Sequence, residues 1–281
     1  MALLRVDAFS KSLMRTVTMT VILPVDKTGN NGSDISERKP LKTLYLLHGV
    51  LGSDMDWVTG TRIQAWAQDH NLAVVMPSGE NRFYVDDSYG IVKYGTFIGQ
   101  ELVELTRKMF PLSNKREDTF IGGLSMGGYG AIVNGLKYSD TFGAVIGLSS
   151  GFILEQILGS KPNQEDVIHT REFYESVFGD LSKLKGSDRD YKALVQKLLD
   201  EKKDIPNLYL ACGKEDFLRD KNVDFSQFLK EHHVEHVYEE WTGGHDWIFW
   251  DQAIEKVIKW LPLGEEVKGI SSGNVQKAKN F

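Results

Sequence analysis

The sequence predicts an α/β protein built on a mostly parallel central sheet with helices on both faces. Three observations carry that expectation. Apolar runs at 41–47, 72–76 and 119–124 are near-continuous rather than alternating, as in strands covered on both sides. Segments of helical period alternate with these runs over short connections. At 118–137 an apolar run ends in Gly123-Leu-Ser-Met-Gly127 and a small-residue run comes next, which reads as strand, sharp turn, helix. In such a sheet, functional sites lie beyond the C-terminal ends of the strands.

In chain order, residues 3–9 and 13–23 alternate as strands. Met14, Thr16, Thr18 and Thr20 fall on one face, Val17, Met19 and Val21 on the other, and a hairpin at a sheet edge is expected. Residues 26–40, with Gly29, Asn30, Asn31, Gly32 and Pro40, read as an exposed loop. After the strand at 41–47 come a helix at 62–68, a strand at 72–76 stopped by Pro77, and an aromatic, aperiodic segment at 80–95 crossing the top of the sheet. A helix at 97–110 ends at Pro111. The strand at 119–124 feeds a helix at 127–136, and a further strand spans 142–148. Amphipathic pieces at 152–158, 170–178 and 189–200 form a small helical cap insertion over about 150–205. The core resumes with a strand at 207–212, a helix at 222–232, a strand at 234–240 and a helix at 246–260. The expected organisation is one domain over 1–263 and a polar, frayed tail over 264–281.

Composition excludes several classes. A net charge of −6 and a pI near 5.7 give no reason to expect nucleic acid or an anionic membrane as partner. The single cysteine, Cys212, precludes an intrachain disulfide and sits in an apolar run as a small buried residue. No apolar run approaches the ~18 residues of a membrane span. The first residues lack the basic and apolar regions of a signal peptide, so a cytoplasmic protein is expected.

The chemistry centres on Ser125. A serine hydroxyl is a weak nucleophile and needs a base, which in turn needs a carboxylate to orient it. In this strand–turn–helix setting the partners come after the serine in the order acid, then histidine. Glycines at 123 and 127 let the turn adopt a sparsely allowed conformation. A second match to the pattern exists, Gly147-Leu-Ser149-Ser-Gly151, but bulky Phe152, Ile153 and Leu154 come directly after it, so Ser149 reads as a strand end beside the site. His245, in Thr242-Gly-Gly-His-Asp246 between the last strand and last helix, is the candidate base. Asp216, just after the strand at 207–212, is the candidate acid, with Glu215 and Asp220 as competitors. His232, His233 and His236 have weak spacing for a metal. Charge on the former carbonyl oxygen calls for two main-chain donors: Met126, after the nucleophile, and Val50 or Leu51, in the loop after the strand at 41–47. His48 is a candidate support for that loop. Phe152, Phe173 and Phe178 are candidate walls of an acyl pocket.

These segments are familiar together. Residues 45–52 (Tyr-Leu-Leu-His-Gly-Val-Leu-Gly) with Trp57, residues 120–130, residues 212–218 and His245-Asp-Trp with Trp250 resemble the esterase D-like branch of the α/β-hydrolases, the bacterial tributyrin esterases most closely. The resemblance runs in order from about residue 5 to 262. It implies an α/β-hydrolase fold and carboxylesterase activity on short-chain acyl esters, with no cofactor and no metal. It places the triad on Ser125, Asp216 and His245, and the oxyanion donors on Val50 and Met126. The partner it implies is a small acyl ester, and it leaves room for a homo-oligomer. The 26–40 loop and the tail after Gly264 depart from the family's pattern. S-formylglutathione hydrolase and feruloyl or acetyl-xylan esterases share the mechanism, and a non-catalytic binding protein on the same scaffold is the remaining alternative.

Overall fold

The apolar runs become the interior of one sheet. The computed structural model describes residues 1–36, 39–87, 90–162 and 168–270. Among them, eight strands are ordered β1-β2-β4-β3-β5-β6-β7-β8. These are β1 (Ala2–Ser10), β2 (Arg15–Leu23), β3 (Lys42–Leu47), β4 (Leu72–Pro77), β5 (Thr119–Leu124), β6 (Ala144–Leu148), β7 (Asn207–Gly213) and β8 (His236–Trp241). The β1–β2 hairpin and the β2–β4 pair are antiparallel, and every pair from β4 to β8 is parallel. The predicted edge hairpin is therefore present. Its turn is held by Glu101, whose carboxylate accepts from the Ser10 hydroxyl and from the Lys11 and Ser12 amides at 2.6–2.9 Å.

Both sheet faces are covered, and the two-residue period of the strands decides which side chain goes where. Tyr45, Leu47, Val75, Ile121 and Val145 join one core; Leu44, Leu46, Val74, Phe120 and Ile146 join the other. The first core is closed by α5 (Met126–Lys137), by α4 (Leu102–Met109) and by the insertion. The second is closed by α2 (Ile63–Asp69) and α10 (Trp247–Trp260). Between β3 and α2 lies a short helix the periodicity did not reveal, α1 (Asp56–Gly60), anchored by buried Trp57, whose indole N–H donates to the Leu47 carbonyl at 3.0 Å. The helix expected at 97–110 is composite. One turn, α3 (Tyr94–Thr96), leads into a π-helical segment (Phe97–Glu101) before α4. Gly99 lies there against the Tyr138 ring, where a Cβ would come within 2.0 Å of a ring carbon.

The insertion contains α6 (Leu154–Leu158), α7 (Arg171–Phe178) and α8 (Tyr191–Asp200), and after β7 comes α9 (Arg219–Glu231). The Tyr129 hydroxyl on α5 donates to the Arg189 carbonyl at 2.6 Å and ties the insertion to the central helix.

Two expectations need correction. The 26–40 loop is not wholly exposed: Lys27 is buried, its ammonium donating to the Gln68 carbonyl and Asn71 Oδ1 at 2.7 and 2.9 Å. Residues 264–270 are not a frayed end either, since the Val267 and Ile270 amides donate to the Asp69 and Thr28 carbonyls, each at 2.8 Å. The 26–40 loop and residues 264–270 thus lie against each other. Residues 271–281 of the expected tail, like Tyr89 of the 80–95 segment, fall outside the described residues.

Candidate active site

Ser125 ends β5 and caps α5 at φ 53°, ψ −118°, a region that L-residues avoid at a cost of order 1–3 kcal/mol. The strain is held by backbone bonds on both sides of the residue. Its N–H donates to the Leu148 carbonyl at 2.9 Å, and its carbonyl accepts from the Gly151 and Tyr129 amides at 2.8 and 3.0 Å. Close approach of α5 to the sheet requires the flanking glycines. A Cβ on Gly127 would lie 2.4 Å from the Leu47 carbonyl oxygen, and one on Gly123 would lie 2.4 Å from the Gly127 carbonyl oxygen.

His245 lies in the loop between β8 and α10. Asp246 caps that helix by accepting from the Phe249 amide at 3.0 Å, which fixes the loop's exit. His245 Nε2 is 3.0 Å from Ser125 Oγ, and Nδ1 is 2.9 Å from Asp216 Oδ2. The imidazole is flanked by Phe217 and Trp250, with ring centroids at 4.6 and 4.9 Å. The structure therefore brings together three residues spread over 120 positions of chain.

Asp216 has a fully buried carboxylate whose second oxygen accepts from the Leu218 amide at 2.8 Å. Burial pushes its carboxyl up, but the hydrogen bonds from His245, the Leu218 amide and Ser149 outweigh burial and hold it below the usual range. An ionised Asp216 accepts only, so the Nδ1 proton of His245 faces it and Nε2 is left to face the serine. The competing acids are elsewhere. Glu215 is exposed and accepts from the Gly243 amide at 2.6 Å, and Asp220 is solvent-exposed beside Arg219. Glu215 still matters to geometry, because with Gly213 it clasps the acid loop to the base loop. The Glu215 amide donates back to the Gly243 carbonyl at 3.1 Å, and a Cβ on Gly213 would stand 2.0 Å from that same oxygen.

The loop after β3 carries Val50 and Leu51. The Leu51 amide is engaged by Asn81 Oδ1 at 2.7 Å, while Val50 N–H has no acceptor among the described residues. Met126 opens α5, so its N–H has no carbonyl one turn back. The loop is braced from below by His48. Its Nδ1–H donates to the Gly49 carbonyl at 2.6 Å, and Nε2 accepts from the Gly79 amide at 2.8 Å, which requires the neutral ring. Burial pushes the His48 imidazole down. Tyr84 donates its hydroxyl to the His48 carbonyl at 3.0 Å and is itself held through Asn134, whose amide donates to the Tyr84 carbonyl at 2.9 Å. Residues 81–84 of the aperiodic 80–95 segment thus support this loop.

Sequence reasoning missed Asn81 and Asn222. Asn222 on α9 pairs with both backbone groups of Ser150 at 3.0 Å, next to the Gly151 amide that holds Ser125. A lone asparagine in a loop or on a helix carries no local signal of such a role. Ser149 is fully buried, with its Oγ accepting from the Trp250 indole at 3.1 Å. Of the expected pocket walls, Phe152 and Phe178 are buried. Phe152 packs on Tyr191 and Phe225, and Phe178 packs on Phe83 and Tyr129; Phe173 is half-buried beside Phe83. His236 is bound to Ser226 and the Val234 carbonyl, and His232 to the Phe228 carbonyl. Among the described residues no group of three or more His, Cys, Asp and Glu is placed to hold a metal. Burial pushes the Cys212 thiol up to about 12.

A mostly parallel eight-stranded sheet with a strained serine between strand and helix defines an α/β-hydrolase. The chain belongs to the esterase family whose model is described as "Putative esterase", matched over residues 10–261, and it is a carboxylic ester hydrolase. It is 47% identical to an acetyl esterase of Caldicellulosiruptor saccharolyticus, over 93% of this chain and 98% of that relative. Its fold is similar to that of substrate-bound fluorophosphonate-binding serine hydrolase F of Staphylococcus aureus. There the TM-score is 0.81 and the identity 35%, over 92% of this chain and 98% of the other. It is likewise similar to an S-formylglutathione hydrolase of the same organism, with a TM-score of 0.79 and the same identity and coverage. Among the described residues no helix is long and apolar enough to cross a membrane.

Proposed function

We propose that this chain is a serine carboxylesterase that cleaves short-chain acyl esters, tributyrin and acetyl or butyryl esters among them, through an acyl-enzyme on Ser125. One observation carries the reading: hydroxyl, imidazole and buried carboxylate stand in line at 3.0 and 2.9 Å. Ser125 Oγ attacks the ester carbonyl carbon while its proton passes to His245 Nε2. Asp216 steadies the imidazolium that forms. The Val50 and Met126 amides donate to the oxygen that gains charge, each such donor being worth about 3–4 kcal/mol of barrier. The carbon–alkoxide bond breaks as the leaving oxygen takes the proton from Nε2. Water then adds to the acyl carbon, giving its proton to Nε2, and Ser125 leaves with that proton restored.

Leu51, Phe217 and Ile248, each about three-quarters exposed, lie close in the chain to Val50, Asp216 and His245 and suit an apolar substrate. An apolar pocket separates acyl chains by only ~1–3 kcal/mol per methylene, so a broad preference for two to four carbons is expected. The test is kcat/KM across p-nitrophenyl acetate to decanoate, with S-formylglutathione and methyl ferulate alongside. A maximum at short oxygen esters supports the reading. A maximum at the thioester would transfer the assignment to the glutathione-thioester class, and one at the ferulate to the aryl-ester class.

A further inference from the structure

The sheet ends in two unlike edges. At one, β8 carries adjacent Glu239 and Glu240, committed to Lys256 and Arg219 at 2.9 Å each. At the other, β1 is nine residues long and contains neither proline nor lysine. It pairs along its whole length with β2 and, among the described residues, has no strand on its other side. A long edge of that kind exposes a row of unpaired N–H and C=O groups, which proteins normally blunt or cover.

The side chains of β1 alternate strictly. Ala2, Leu4, Val6 and Ala8 pack on the core, while Leu3, Arg5, Asp7 and Phe9 are exposed on the opposite face, Leu3 at 42% and Phe9 at 58%. That exposed row reads apolar, positive, negative, apolar, so it is complementary to itself when reversed about Val6. Arg5 has no ion pair among the described residues, and Asp7 accepts from Thr18 of β2 on the same face.

We propose that β1 is a dimer interface, where a second copy of this chain adds its own β1 antiparallel across a two-fold axis at Val6 and joins the two sheets. In that register Arg5 faces Asp7 of the second copy, and Leu3 faces its Phe9. Both contacts occur twice by symmetry. The neighbouring registers are disfavoured by charge. A two-fold at Arg5 sets arginine against arginine, and one at Asp7 sets aspartate against aspartate, each destabilising directly across strands. The β8 edge is less well matched, because a two-fold at Tyr238 sets Glu239 against Val237, and one at Glu239 or Glu240 sets glutamate against glutamate.

Sedimentation velocity of the intact chain over a concentration series tests this. The expected species has twice the 31.7 kDa protomer mass. Arg5→Asp places like charges opposite one another at two symmetric positions and should raise the dimer Kd at least about tenfold. Arg5→Asp combined with Asp7→Arg restores opposite charges and should restore the dimer. Hydrolysis of p-nitrophenyl butyrate, unchanged in every variant, reports an intact fold. A wild-type chain monomeric up to ~100 µM would overturn the proposal. So would an assembly indifferent to Arg5→Asp, or a double variant no more dimeric than the single one.

Discussion

Ser125 and Ser149 occupy the same five-residue pattern at the same end of adjacent strands. The β5–β6 register sets Gly123 beside Gly147 and Leu124 beside Leu148, so the two serines leave the sheet side by side. Both adopt left-handed φ, 53° and 45°. The chain beyond each serine takes a different course. After Ser125 come glycines at 127, 128 and 130 and a helix lying close to the sheet. After Ser149 the chain passes through Phe152 before α6 begins. Ser125 Oγ therefore meets His245, whereas Ser149 Oγ lies beneath the Trp250 indole. The pattern supplies a strained strand end, and only the packing behind it presents a hydroxyl to a base.

The largest effect should separate the two serines. Ser125→Ala is expected to lower kcat on p-nitrophenyl butyrate by at least ~10⁴-fold with an unchanged Tm. Ser149→Ala should lower activity far less but destabilise the fold by about 1–3 kcal/mol in urea titration, because the buried Trp250 N–H loses its acceptor. The opposite pattern would reverse the assignment.

A smaller contrast lies in the glycines. Gly127→Ala forces the new methyl into the Leu47 carbonyl and should lose about 1–3 kcal/mol together with most activity. Gly151→Ala, whose Cβ would sit 3.3 Å from the Ser125 carbonyl, should be better tolerated on both counts. Equal losses would mean that the helix approach is not what distinguishes the two motifs.

The smallest expected effects are those of pH. In the proposed mechanism His245 Nε2 takes up the Ser125 proton, so kcat/KM should depend on pH, and a profile flat throughout would count against an imidazole base. Stability should respond separately through His48. Its folded value lies below the ordinary 6.5, so the unfolded chain binds the proton first. The His48 contribution is thus complete above about 6.5 and declines as pH falls below it. Chemical denaturation of wild type and His48→Phe at several pH values would show the wild-type slope reduced in the variant. Asp216 acts later in acid, its stabilising contribution complete above the ordinary carboxyl value and lost as pH falls through its lowered folded value.

Much of the architecture was legible because it rests on short-range signals. Every interior strand was marked by its apolar run. The elbow was marked by its glycines, and the candidate acid Asp216 and candidate base His245 by their places after β7 and β8. What escaped depended on contacts distant in sequence. The Leu51 amide is engaged by Asn81, 30 positions away, a contact with no local signal. The burial of Lys27 depended on carbonyl and amide oxygens of residues 68 and 71. The π segment at Phe97–Glu101 reflects the fit of Gly99 to Tyr138 and of Glu101 to the hairpin turn.

By itself, then, the sequence determined the kinds of element, their order and the residues with the right chemistry, because periodicity and turn residues act within a few positions of chain. The tertiary structure alone decided how far the hydroxyl of Ser125 stands from an imidazole, which amide in the loop after β3 stays unpaired, and which charged groups leave water. Those outcomes depend on which distant backbone and side-chain atoms come within about 3 Å, and spacing along the chain does not encode that distance.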